Sequence, residues 1–182
     1  AKADTDDVLV RLTVSNRGPE AQLLHLLPTL WFRNTWSWGR SSEKYGPKPA
    51  LTLEGDRVVA GHSSLGHLEL AADRASNGAE PRWLFTENET NVQRLFASPN
   101  AQPYVKDAFH EYVIRGRHNA INPAGRGTKA AAYYALELAP GETVTVRLRL
   151  TSASHRSIDP FGREFHRTFT ARIREADAFY AD

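Results

Sequence analysis

The chain contains no cysteine and no methionine among its 182 residues. Without cysteine there is no disulfide framework, no thiolate metal site and no sulfur nucleophile. The first residue is Ala1, whereas a natural full-length protein normally begins with methionine. The sequence is therefore expected to be a processed or excised piece of a larger protein. A block of one charge is also missing: 23 basic and 21 acidic residues give a net +2, spread along the chain. A nucleic-acid groove needs a concentrated basic stripe, so no nucleic-acid partner is expected. Long apolar runs are scarce. The longest, Leu23–Phe32, is interrupted by His25 and Pro28 and is too short to cross a bilayer, so no membrane partner is expected. The N-terminus AKADTDD carries no charged-then-apolar leader pattern, which gives a cytoplasmic expectation. There is no GxSxG, no phosphate loop and no GxGxxG, and the histidines never fall at HxxxH or HxH spacing. Neither a metal nor a cofactor is expected.

What is present is a succession of short strands. In Val8–Val14, Val8, Val10, Leu12 and Val14 share one face and Arg11 and Thr13 the other, the period of a half-buried strand. Asn16-Arg17-Gly18-Pro19 ends it with turn chemistry. Leu23–Phe32 reads as one buried strand with a bulge or edge at Pro28, and Trp31 and Phe32 as core. Further strands are predicted at Ala50–Glu54, Arg57–Ala60, His67–Ala71, Arg82–Thr86, Thr128–Leu138 and Thr143–Leu150. The last two are joined by Ala139-Pro140-Gly141-Glu142 as a hairpin. Many short strands without a βαβ rhythm predict a mainly β protein, an antiparallel β-sandwich.

Two helices interrupt this pattern. Val105, Ala108, Phe109, Tyr112 and Val113 recur at helical spacing, with Gly116 as a cap. Near the end, Phe165, Phe169, Ile173, Ala176 and Tyr180 form one stripe, with Asp159-Pro160 as the predicted start. The expected organisation is a sandwich over residues 1–158, with a loop and helix insertion at 87–122, and a linker helix over 159–182.

Three constellations could carry function. Arg33 and Asn34 lie beside Trp36 and Trp38. The two indoles, sharing in-strand parity, could form a platform for a sugar face or a domain contact while Arg33 and Asn34 bond hydroxyls. In Phe85-Thr86-Glu87-Asn88-Glu89, Thr86 and Glu89 fit a helix capping box, and Glu87 or Glu89 could instead meet a ligand or an adjoining domain. On the predicted helix, Lys106 and His110 share a polar face with Asp107 adjacent. Glycoside hydrolysis needs two carboxyls flanking one bond, and Glu87 with Asp107 is the candidate catalytic pair.

The segments VRLTVSNRGPEAQLLHLLPTLWFRNTWSWG, WLFTENETNVQRLF, PYVKDAFHEYVIRG, INPAGRGTKAAAYY and VRLRL run in order through nearly the whole chain. Together they resemble the N-terminal region of large bacterial proteins related to glycoside hydrolase family 63, of the glucosidase or mannosylglycerate-hydrolase-like kind. The resemblance implies a supersandwich-like domain preceding an (α/α)6 catalytic barrel that carries the acid and base of an inverting α-glycoside hydrolysis. It would leave this segment without catalytic residues of its own. Its partners would be that barrel, in the same parent chain, and an oligosaccharide. Arg33, Asn34, Trp36, Trp38, Glu87, Glu89, Lys106, Asp107 and His110 would then border the pocket or the domain interface. A stand-alone carbohydrate-binding module, or a self-sufficient glycosidase using Glu87 and Asp107, are the alternatives.

Overall fold

A computed structural model describes residues 1–38, 46–155 and 157–181, with the side chains of Trp38 and Ser154 excepted. Among the described residues, eleven strands form two antiparallel sheets. In chain order they are β1 (Lys2–Asp4), β2 (Asp7–Ser15), β3 (Gln22–Leu26), β4 (Thr29–Trp31), β5 (Ala50–Glu54) and β6 (Arg57–His62). They continue as β7 (Gly66–Ala72), β8 (Arg82–Thr86), β9 (Arg126–Gly127), β10 (Lys129–Leu138) and β11 (Thr143–Ser152). The larger sheet has seven strands in the order β1-β2-β11-β7-β6-β5-β9. The smaller is built around β10, which pairs with β3 and β4 and also with β8. The sandwich predicted from the sequence is the fold.

The core lies between the sheets. Leu51, Val58, Ala60, Leu70, Val144, Val146 and Leu148 from the larger sheet meet Phe85, Ala130, Ala132, Tyr134, Leu136 and Leu138 from the smaller. The first half of β10 is buried on both faces, because Ala131 and its neighbour Leu84 of β8 pack outward against Phe109 and Tyr112 of helix α2 (Ala108–Arg115), whereas Ala135 and Glu137 further along are exposed. The alanines of β10 let backbone layers approach on either side. A short helix, α1 (Val92–Phe96), precedes α2 in the excursion between β8 and β9.

Several expectations are corrected. The run Leu23–Phe32 is two strands, β3 and β4, both paired to β10 and interrupted at Pro28, whose carbonyl accepts Ala132 N–H at 3.0 Å. Phe32 does pack against the core, but Trp31 is 54% exposed, because β4 alternates and turns Leu30 inward. The turn at 139–142 does not make a hairpin: β10 and β11 belong to different sheets. It arches from one sheet to the other, locked to the neighbouring arch after β2 by Gly141 N–H to Asn16 O and Asn16 N–H to Glu142 O, both 2.9 Å. A helical start at Thr86 is also absent. Thr86 ends β8 with its hydroxyl donating to Val105 O at 2.8 Å. Asn91 caps α1 instead, accepting Arg94 N–H at 3.0 Å. Strands β1 and β9 are too short and too polar or glycine-rich to be seen in the sequence.

The last helix, α3 (Arg163–Tyr180), is capped at Gly162 rather than at Asp159, because the chain from 157 to 161 runs through bends and a turn whose carbonyls are held by arginines on the outer face of the larger sheet. Arg57 pairs with Glu69 at 3.2 Å and donates to Ser157 O at 3.3 Å. Arg149 pairs with Asp7 at 2.5 Å and donates to Pro160 O at 3.2 Å. Arg147 pairs with Asp73 and donates to Phe161 O at 2.9 Å. Each guanidinium thus joins a carboxylate to a loop carbonyl, the arrangement that the buried Arg149 in particular requires. Phe165 docks fully here, with Phe161 and Phe169 beside it at ring distances of 5.9 and 5.1 Å. Beyond Phe169 the predicted stripe leaves the sandwich: Ile173 and Tyr180 are exposed. No helix among the described residues is long and apolar enough to cross a membrane.

Candidate functional site

The residues around 126–128 position the site. The chain there passes from the edge of the larger sheet, where Gly127 is paired with Leu51, to the centre of the smaller one, where Lys129 is paired with Thr86. Thr128 N–H donates to Thr86 O at 3.1 Å, so β8 and this crossing run side by side. Just beyond β8, the Thr128 hydroxyl accepts Asn88 N–H at 2.8 Å and donates to Glu87 Oε2 at 2.7 Å. Asn88 Nδ2 anchors the same bend to Phe32 O at 2.9 Å. The carboxylate of Glu87 is therefore fixed by backbone geometry, not left on a mobile loop.

Glu87 and Glu89 then converge on one cation. Lys48 Nζ lies 3.0 Å from Glu87 and 3.1 Å from Glu89. Trp36 joins them: its Nε1–H donates to Glu89 Oε1 at 2.9 Å and its ring lies 5.7 Å from Lys48 Nζ. The network borders a cleft of about 490 Å3 lined also by Thr52, Gln102, Arg126 and Thr128. Burial pulls the pKa of Lys48 down, but the hydrogen bonds and charges of Glu87 and Glu89 outweigh it and hold the ammonium above its usual 10.5. With the folded value raised, the lysine's contribution is complete below pH 10.5 and is lost as pH rises through the folded value. Lys129, which burial and then Lys106 hold below 10.5, works in the opposite sense. The difference between wild type and Lys48→Met isolates the first effect. We expect the stability gap between the two to narrow progressively above pH 10.5 in urea titrations. A gap independent of alkaline pH would contradict the assignment.

The other sequence candidates separate into distinct places. Asp107 sits before α2, not within a helix shared with Lys106. Its carboxylate accepts from Asn91 Nδ2 at 3.2 Å and pairs with Arg94 at 3.1 Å. Glu87 and Asp107 thus belong to different networks. Lys106 lies in the turn before α2, reaching Thr90 Oγ1 at 3.2 Å, while His110 is an exposed residue of the helix proper. Lys106 and His110 do not belong to one helix as expected, because the helix starts at Ala108. Asn34 is a local cap: its Oδ1 accepts Ser37 N–H at 3.2 Å and Ser37 Oγ–H at 2.8 Å. Trp36 and Trp38 stand on the single 3-10 turn that it caps, 36–38, instead of on a strand. The side chain of Trp38 lies outside the described residues. Arg33 is exposed. Among the described residues no group of three or more His, Asp or Glu side chains could hold a metal ion.

Sequence reasoning missed Lys48, Thr128, Arg126 and Gln102. They come from separate segments and join only through the meeting of the two sheets, so no local pattern marks them. The one available signal was Gly127. A Cβ there would fall 2.9 Å from the Thr86 carbonyl carbon and closer still to its oxygen, so the crossing demands glycine.

Among curated proteins, the chain is similar to the uncharacterized protein YMR196W of Saccharomyces cerevisiae, with 34% identity over 197 aligned residues. The match covers 93% of this chain and 18% of the yeast protein, so the chain spans less than a fifth of that relative's length. No family model matches the sequence.

Proposed function

We propose that this chain is the non-catalytic sandwich segment of a glucosidase related to glycoside hydrolase family 63, supporting and bordering the pocket of a separate (α/α)6 catalytic domain. The observation that carries this reading is the bonding of its carboxylates. Glycoside hydrolysis uses an acid and a second carboxylate on either side of one bond. Here Glu87 and Glu89 share Lys48, and Asp107 is taken up by Arg94 and Asn91. Such groups suit the rim of a pocket: fixed donors and acceptors that bond hydroxyls or a docking surface. The exposed second half of α3, with Phe179 at 77%, offers an apolar edge for the neighbouring domain. The length of the yeast relative beyond the matched region is in keeping with a segment of a much larger protein.

A stand-alone carbohydrate-binding module is the second reading, favoured by the exposed indole of Trp31. It requires that oligosaccharide alter Trp31 emission in the isolated chain. Trp36 is the weaker platform, since Glu89 and Lys48 already occupy its ring edge and vicinity. The leading proposal is tested by comparing α-glucoside turnover by this chain and by a longer protein that contains it.

A further inference from the structure

We propose a phosphate-binding site on the outer face of the larger sheet, in the cleft between β2, β11 and the first turn of α3. This cleft, about 340 Å3, is lined by Arg11, Arg74, Ser76, Thr145, Arg147 and His166. Guanidinium groups, an imidazole and hydroxyls form its walls, and no carboxylate lines it. Two of the three arginines are paired with acids that do not line the cleft: Asp73 holds Arg147 and Glu80 holds Arg74. Three guanidinium groups therefore face two carboxylates, and the excess charge is on Arg11. Its guanidinium lies 4.6 Å above the Phe169 ring and, among the described residues, pairs with no acid.

The geometry selects an oxyanion over other ligands. Arg147 Nη1 donates to His166 Nε2 at 3.0 Å, which holds the imidazole against the wall of the cleft. Ser76 Oγ accepts Thr145 N–H at 2.9 Å, which leaves the serine's own hydroxyl hydrogen to donate. Arg147 is committed to Asp73, Phe161 O and His166, so the open donors are those of Arg11 and Arg74, which with the Ser76 hydroxyl beside them match the several oxygens of a phosphate group. The aromatic stacks of Arg11 on Phe169 and of Arg147 on Phe161 and Phe165 fix these cations in place, so less side-chain freedom is lost when an anion arrives. The site lies apart from the Lys48 cleft and does not depend on the glucosidase proposal. The ligand is either free phosphate or a phosphate carried on a small sugar.

Calorimetric titration with inorganic phosphate and with glucose 6-phosphate, against chloride at matched ionic strength, tests the site. Low-millimolar binding of at least one of them is expected, weakened about tenfold by Arg11→Gln and by Arg74→Gln, as loss of a charge-assisted hydrogen bond implies. Both side chains are exposed, so the thermal midpoint in chloride serves as the folding control for each variant. Tighter binding of glucose 6-phosphate identifies a carried phosphate, and equal or weaker binding identifies the free ion. Absence of binding at tens of millimolar, or binding that both variants leave unchanged, would overturn the proposal.

Discussion

Arg149→Ala is expected to lower the unfolding free energy by about 3–5 kcal/mol, the range for removing one partner of a buried ion pair. Both side chains of the Arg149–Asp7 pair are 8% exposed, so the variant leaves the Asp7 carboxylate without its cation where water cannot replace it. The Pro160 carbonyl loses its donor as well. The loss should therefore show itself twice in urea unfolding and proteolysis: as lower global stability, and as easier cleavage in the segment before α3. A double replacement, Asp7→Leu with Arg149→Met, should cost less than Arg149→Ala alone, because no buried charge is stranded. A single variant within about 0.5 kcal/mol of wild type, the range of ordinary surface substitutions, would show that the pair does not anchor the sheet.

The second large effect is expected at Gly127. Its neighbour on one side is Leu51 of β5, and on the other the chain of Thr86 presses against its Cα. Gly127→Ala must push the crossing strand away from β8, at a cost of about 1–3 kcal/mol by the measure of overpacked cores. Thr128 would move with it, and with Thr128 the hydrogen bonds to Asn88 and Glu87. Trp36 emission should shift along with stability, since Lys48 and Glu89 connect that indole to the same network. Full stability with unchanged Trp36 emission would mean that the crossing tolerates a methyl group and does not set the site.

The reach of the sequence followed the locality of the physics. The alternation in β2 and β11 was legible because period-2 burial needs no partner to be recognised, and it placed Arg147 and Arg149 on the outer face correctly. The cap at Gly116 was legible too, as a left-handed residue (φ 63°) that glycine adopts without strain. Turn chemistry at 139–142 announces a reversal but carries no information about which sheet the next strand joins, so it predicts a hairpin where the fold has an arch. Proline at 28 divided a run whose apolar residues suggested continuity. The site was half visible. Trp36, Glu87 and Glu89 stood out by composition, and they do converge. Their cation, Lys48, is a single lysine in no motif, reachable only through the folded sandwich. Asp107, paired with Glu87 by chemistry alone, found its own partners because α2 starts one residue beyond it.

The proposal that the chain supports a pocket without performing the chemistry is tested most directly by turnover. Purified chain and a longer protein containing it would be assayed side by side on a chromogenic α-glucoside, at equal molar concentration. The expected result is hydrolysis by the longer protein and none above the uncatalysed rate by this chain, with Glu87→Gln and Asp107→Asn changing nothing in the latter. Turnover by the isolated chain as fast as by the longer protein, abolished by either substitution, would contradict the account.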